Sequence, residues 1–286
     1  VMKLIQQSFE ILEQTDYSLK GIKQFIERCG RVCYKSEDKI TDDSYEKFVN
    51  MLINKDHARP LEFGTVHLLI PNSDFKEVYT SLAEIGLDNC DWLQYCYYQG
   101  AYYVTTNYRY YLDIIKSAPA IQKYFSETYS KYYPKRYTVH FITNRAIMDE
   151  FRTHVTLSHL AESTRYCNYS KGKFNNELTF IIPNWVNTHC PNKEQEGPSV
   201  PDMEWSSAML NAETSYMNLL KMGWTPQQAR DVLPLSVKSE LISCGFGSAW
   251  YNFFYRRCAK DAHPMAREIA ISLQDKFKEI GLSFVY

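Results

Sequence analysis

Motifs that would assign a chemistry at once are missing from this chain. There is no GxGxxG after a strand, no GxxxxGK(S/T), no HExxH and no GxSxG. Their absence removes the dinucleotide cradle, the P-loop, the metalloprotease helix and the hydrolase elbow. The eight cysteines form no CxxC pair and no compact framework, so reduced thiols in a cytosolic setting are expected. No apolar run reaches the roughly 18 residues of a membrane span. The N-terminus also lacks a charged segment leading into an apolar one, so a cytoplasmic protein without membrane attachment is expected. A net charge of −1 excludes a generally basic nucleic-acid coat, and any anion site must be local. No internal repeat and no Gly/Ser-rich or Pro-rich linker divides the 286 residues, which read as a single domain over 1–286.

What is present reads as strands scattered among helices without regular βαβ alternation, an α+β chain. Lys3 to Ser8 alternates as a short strand, and 18–31 is helical with Leu19, Ile22, Phe25 and Ile26 on one face. An irregular joint over 31–36 follows, and then Asp42 or Asp43 caps a helix carrying Phe48, Val49, Leu52 and Ile53. His57 to Phe63 is a turn stiffened by Pro60 that feeds a strand over 64–70, ended by Pro71. Residues 73–135 read as an insertion: a helix over 74–85, a tyrosine-rich run over 95–111 without clean periodicity, and a helical stretch over 110–133. A strand over 137–143 leads into a helix over 145–154, and a further strand covers 179–182. Residues 184–201 are a surface loop and the candidate mobile lid, and 204–222 is a long helix. Thr225 to Gln228 is a capping box with Pro at the first helical position, 236–244 is extended, and the last helix runs from Pro264 to Ile280.

The densest chemistry lies between Glu150 and Phe174, where carboxylates, hydroxyls, two imidazoles, Arg165 and two tyrosines crowd one segment. These groups suit phosphate, ribose and a base edge. His154 and His159 are five apart and share no helix face, so no metal site is expected. Ser163 has neither a nucleophile elbow nor a Cys-His arrangement near it and reads as a hydrogen-bonding group. Arg230 follows a capped helical start, and Arg256-Arg257 share an aromatic-rich helix with Asn252. Each arginine alone is as easily a surface ion pair as a ligand contact. Three of them without an obvious run of acidic partners suit a small phosphorylated molecule, because guanidinium forks bind phosphate bidentately. His57, Arg59 and Glu62, just before a strand, are either solvated loop residues or a ligand-facing lip.

The segment Glu162-Ser-Thr-Arg-Tyr-Cys-Asn-Tyr-Ser170 resembles the signature of the flavin-dependent thymidylate synthases (ThyX). So, in that family's order, do Arg31-Val-Cys-Tyr-Lys-Ser36, His57-x-x-Pro-Leu-Glu62, Ala229-Arg-x-Val-Leu-Pro234, Asn252-Phe-Phe-x-x-Arg257 and Ala262-His-Pro-x-x-Arg-Glu-Ile269. The likeness covers residues 15–280, least clearly over 73–135. It implies a ThyX-like fold, a central mostly antiparallel sheet with helices packed around it. It also implies reductive methylation of dUMP to dTMP with methylenetetrahydrofolate, FAD and NADPH, in a homotetramer with sites at subunit interfaces. By the same resemblance Glu150, Glu162, Ser163, Thr164, Arg165, Tyr166 and Arg230 contact the nucleotide. Arg257 sits at the pyrimidine edge, favours an ionised N3 and is the catalytic residue. His57, Arg59, His154, Asn252 and His263 face the flavin or folate, and no enzyme nucleophile attacks the base.

The chain departs from the family pattern at named positions. Thr153-His154-Val155 stands where the signature has Arg-His-Arg, Phe246-Gly-Ser248 where relatives place Asn-x-Arg, Phe63 where a histidine follows the glutamate, and Ala161 replaces a polar residue. Each lost charge-assisted contact costs about 1.5–3 kcal/mol. The departures gather on the flavin side. Three readings follow: a thymidylate synthase with an altered FAD grip, a divergent pyrimidine nucleotide-modifying enzyme with altered cofactor use, or a nucleotide-binding subunit without turnover.

Overall fold

The computed structural model describes residues 2–84, 86, 91–188 and 197–282. In chain order its strands are β1 (Lys3–Ile5), β2 (Ser8–Leu12), β3 (Thr65–Pro71), β4 (Leu93–Tyr98), β5 (Ala101–Asn107), β6 (Phe125–Ser126), β7 (Arg136–Asn144), β8 (Ser158–Ala161), β9 (Thr179–Ile181) and β10 (Lys238–Phe246). The α-helices are α1 (Leu19–Tyr34), α2 (Ser44–Asn54), α3 (Asn72–Glu84), α4 (Tyr108–Ser117), α5 (Arg145–Phe151), α6 (Val200–Lys221), α7 (Pro226–Ala229), α8 (Gly247–Arg257) and α9 (Pro264–Glu279). None of the described helices is long and apolar enough to cross a membrane.

The mostly antiparallel α+β architecture matches the expectation, and among the described residues the strands form two four-stranded sheets and the pair β1-β9. The first has order β2-β7-β10-β8, with Leu241 facing Phe141 on one side and Ala161 on the other. Alternating Tyr137, Val139 and Phe141 point into a core closed by α5, α8 and α9, where Trp250 and Phe254 are fully buried. The Trp250 indole N–H donates to the Tyr137 carbonyl at 3.1 Å, so the largest core side chain leaves no polar atom unsatisfied there.

The second sheet, β4-β5-β3-β6, is built from the region read as an insertion together with β3. β5 pairs with β3 along its whole length, so 73–135 completes a sheet that β3 starts. The tyrosine-rich run is a hairpin, turning at Gln99 and Gly100 with φ of 46° and 84°. Those left-handed values suit a tight hairpin. Its periodicity is hidden because aromatics occupy both faces, Tyr102 stacking on Phe75 at 3.4 Å while Tyr98 stacks on Tyr132 at 3.7 Å. The helix expected over 110–133 stops at Ser117. Ala118 precedes Pro119 and is forced off helical geometry (φ −135°, ψ 75°), and β6 follows after a short 3-10 turn.

Other boundaries shift for identifiable reasons. The first strand is two: β1 runs parallel to β9, whereas β2 joins β7. Between them Gln7 bonds the Met265 carbonyl and Glu268. α1 is capped by Ser18 and continues to Tyr34, so the expected joint shrinks to Lys35, whose φ is 47°. Asp43 occupies the cap of α2 without a side-chain hydrogen bond, and Ile53 is exposed. α6 starts earlier than expected, because Ser199 and Asp202 form a capping box. Part of the expected lid, residues 189–196, lies outside the described residues. Arg136 ties the sheets together, donating to the carbonyls of Glu62 (2.7 Å) and Gly64 (3.3 Å).

Candidate active site

β8, which the sequence reading passed over, is the edge strand that organises the candidate residues. At its C-terminal end Glu162 N donates to the Glu240 carbonyl (2.8 Å) and Ser163 N to the Cys33 carbonyl (3.0 Å). The chain then turns sharply, with Tyr166 N and Cys167 N both returning to the Ser163 carbonyl. This turn throws Arg165 and Tyr166 out into solvent. Arg165 Nε donates to Gln227 Oε1 at 3.1 Å, and its guanidinium lies 5.4 Å from the Tyr166 ring centre. Arg230 Nη1 meets Thr164 Oγ1 at 3.5 Å, and Tyr34 approaches Tyr166 with ring centres 6.1 Å apart. The structure therefore gathers Ser163, Thr164, Arg165, Tyr166 and Arg230 in one corner. It adds Tyr34 and Gln227, which the sequence reading did not single out although both sit inside motifs it quoted. Two arginines with hydroxyl and aromatic neighbours make a corner suited to a phosphate next to a planar ring.

Glu162 does not belong to the open part of this corner. It is 1% exposed, taking Lys238 Nζ at 2.9 Å and the Tyr169 hydroxyl at 3.0 Å. Both of its carboxylate oxygens are engaged inside the protein, so Glu162 braces the corner from beneath.

At the other end of β8 stands Arg257, the last residue of α8. Its Nη1 donates to Glu150 Oε2 (2.7 Å), Nη2 to the Glu150 carbonyl (2.6 Å) and Thr153 Oγ1 (3.0 Å), and Nε to His154 Nε2 (2.9 Å). The impression that these arginines lack acidic partners is thus corrected for Arg257, which Glu150 holds. A guanidinium can only donate, so His154 Nε2 accepts and the proton sits on Nδ1. Burial, reinforced by the Arg257 charge, pushes His154 down to about 4, which keeps the ring neutral. His159 Nε2 lies 2.9 Å from the His154 carbonyl and therefore donates, leaving Nδ1 to accept from Ser243 Oγ at 2.9 Å. Burial likewise holds His159 down to about 4 despite that carbonyl contact. A cleft of about 460 Å³ opens here, lined by Thr153, His154, Asn252, Arg256, Arg257 and Asp261. His263 is engaged elsewhere: its Nδ1 caps α9 by accepting from Met265 N at 3.2 Å, and its ring faces Trp185.

A third group gathers around Glu62, which is 4% exposed. Arg59 Nη1 reaches Glu62 Oε2 at 3.1 Å, Arg109 Nη1 reaches Oε1 at 2.6 Å, and Ser158 Oγ donates to Oε2 at 2.7 Å. Arg109 comes from the second sheet's side and was not foreseen. His57 is exposed nearby in sequence, at the end of α2. Two half-exposed arginines share the Glu62 carboxylate, and Asp113 lines the same pocket as Glu62 and Arg109. The four residues of β8 span roughly 10–13 Å. The corner and the Arg257 cleft therefore stand at opposite ends of β8.

Residues 135–281, just over half of the chain, match the model of the family described as Thymidylate synthase complementing protein. The chain belongs to this family. It is a family of methyltransferase enzymes, and the matched segment holds both the Arg165 corner and the Arg257 cleft, whereas His57, Arg59 and Arg109 fall outside it. No curated protein matches the chain. Similar solved structures include the UMP/dUMP methylase PolB from Streptomyces cacaoi bound with 5-Br UMP (14% identity, TM-score 0.46, covering 97% of this chain and 92% of that one). The same enzyme bound with 5-Br dUMP shows 16% identity and a TM-score of 0.43, covering 97% and 93%.

Two of the departures from the family signature have distinct surroundings, one at the cleft and one at the far end of α8. Val155 is 81% exposed and Thr153 is spent on Arg257. Ser248, where relatives place an arginine, accepts from Gln94 Nε2 at 3.1 Å and so links the β4 hairpin to α8.

Proposed function

We propose that this chain methylates dUMP to dTMP, using methylenetetrahydrofolate, FAD and NADPH. The observation that carries the proposal is the corner in which Thr164, Arg165, Tyr166 and Arg230 stand together inside the family segment. Arg165 and Arg230 hold the phosphate, and Ser163, Thr164 and Tyr166 the sugar side. Arg257 meets the pyrimidine: four of its five N–H donors are engaged, and the remaining Nη1 hydrogen serves the ring edge, favouring the ionised N3.

The residues around the cleft fit a phosphate-bearing, electron-rich cofactor, because the neutral His154 with its proton on Nδ1, Asn252 and Arg256 all offer N–H donors beside the single carboxylate of Asp261. When bound, FAD would supply a hydride drawn from NADPH, and methylenetetrahydrofolate would supply the carbon. The protein's part is orientation and charge placement. Because the corner and the cleft lie on opposite ends of β8, one chain's corner works with another chain's cleft, which favours a homotetramer with shared sites. A single unit over 1–286 acting in the cytoplasm accords with this reading.

A second reading is a pyrimidine nucleotide-modifying enzyme with altered cofactor use. Exposed Val155 and the Glu150 carboxylate already seated on Arg257 favour it. Two measurements on the purified protein test both: melting temperature with and without dUMP, and the visible spectrum before and after NADPH. A dUMP shift with a flavin spectrum bleached by NADPH supports the first reading, and a dUMP shift in a colourless protein that ignores added FAD supports the second. Neither response overturns both.

A further inference from the structure

Beneath the Arg165 corner lies a buried ion network whose members come from the end of α1, β7, the end of β8 and β10. Glu240 on β10 is its hub: Lys35 Nζ donates to Oε1 at 2.7 Å, Lys238 Nζ donates to the same oxygen, and His140 Nε2 lies 2.9 Å from Oε2. Lys238 also reaches Glu162, so two cations and two carboxylates are neutralised in side chains 14%, 14%, 0% and 8% exposed for Lys35, Lys238, Glu162 and Glu240. Burial alone would raise the Glu240 carboxyl, but the His140 hydrogen bond and the two lysines hold it well below the usual carboxylate range.

Buried ion networks of this kind add little net stability compared with an apolar replacement, whereas they fix geometry well. Here the geometry concerns the corner. Lys35 follows directly on Tyr34, and Glu162 directly precedes Ser163. Lys35 adopts φ of 47°, a left-handed cap conformation that glycine would take without strain. A lysine stands there, and its Nζ binds both Glu240 and Glu37 at 2.7 and 2.8 Å. The backbone repeats the tie through the Ser163 N–H to the Cys33 carbonyl at 3.0 Å and the Glu162 N–H to the Glu240 carbonyl at 2.8 Å.

We propose that Lys35 and Glu240 are positioning residues for the nucleotide corner. They set the end of α1 against the 162–166 turn, so that Tyr34 stands beside Tyr166 and Arg165 projects where a phosphate is held. The inference rests on the nucleotide reading for its consequence, not for its geometry.

The test is the charge-balanced double variant Lys35→Met/Glu240→Gln, which retains one buried cation and one buried anion, compared with wild type in two measurements. In hydrogen–deuterium exchange, amides of 163–166 exchange about tenfold faster in the variant, while β7 keeps its protection and the melting temperature stays close to wild type. In calorimetric titration the dissociation constant for dUMP rises about tenfold. Unchanged exchange over 163–166 overturns the proposal, and so does faster exchange with unaltered dUMP affinity. Should wild type itself not bind dUMP, the functional reading fails, and the exchange comparison alone then decides whether the network holds the turn. If the double variant does not fold, Lys35→Met alone is compared in the same way.

Discussion

Arg257 and Glu150 are joined twice, by the carboxylate at 2.7 Å and by the backbone carbonyl at 2.6 Å, so the end of α8 is bolted to the end of α5. Through its Nε the same guanidinium also dictates the tautomer of His154.

Arg257→Ala removes all four contacts at once and leaves the His154 Nε2 acceptor without its donor. The expected cost is about 1.5–3 kcal/mol of stability, measured by denaturant unfolding. Turnover should fall much further than dUMP affinity. Equal loss of both would contradict a role at the pyrimidine edge.

Arg165 is exposed and bonds only Gln227 among the described residues' hydrogen bonds, so its removal has little to destabilise. Arg165→Ala should leave the melting temperature unchanged and weaken dUMP binding about tenfold or more. Arg165→Lys should recover only part of that affinity, because an ammonium lacks the planar fork.

Acid should destabilise the fold through its histidines. His67, His154 and His159 are each held down to about 4, below the ordinary 6.5, with burial the first cause. Between those values the unfolded chain binds more protons than the folded one, so stability is complete above pH 6.5 and is lost as pH falls toward 4. Each group contributes up to about 1.4 kcal/mol per pH unit. His67→Phe keeps a ring between Tyr17 and Tyr133, stacked at 4.3 and 4.0 Å, and should make melting temperature against pH less steep.

Gly245→Ala tests how closely β10 is packed under the turn that leads into β8. A Cβ there would lie 2.6 Å from Leu157 Cδ2 and 3.2 Å from Ala249 Cβ. The overpacking should cost about 1–3 kcal/mol in unfolding experiments.

Local signals in the sequence were legible where one residue decides them. The Thr225 to Gln228 box and Pro264 at a helix start appear as read, and the helix read from residue 18 starts there, with Ser18 as its cap. The β4–β5 hairpin was hidden because its tyrosines pack on both faces, and β8 because four residues are too few to set a period. For the site, the family motifs named the arginines, but distance in sequence concealed their company. Gln227 lies 62 residues from Arg165, and Arg109 lies 47 from Glu62. The inward turn of Glu162 was hidden for the same reason, because Lys238, which it meets, lies 76 residues away.

The central claim is tested most directly by mass spectrometry of the nucleotide pool after the purified protein is incubated with dUMP, methylenetetrahydrofolate, FAD and NADPH. The account predicts dTMP, formed by wild type and lost in Arg257→Ala. Recovery of unmodified dUMP from wild type that binds both dUMP and FAD would contradict it.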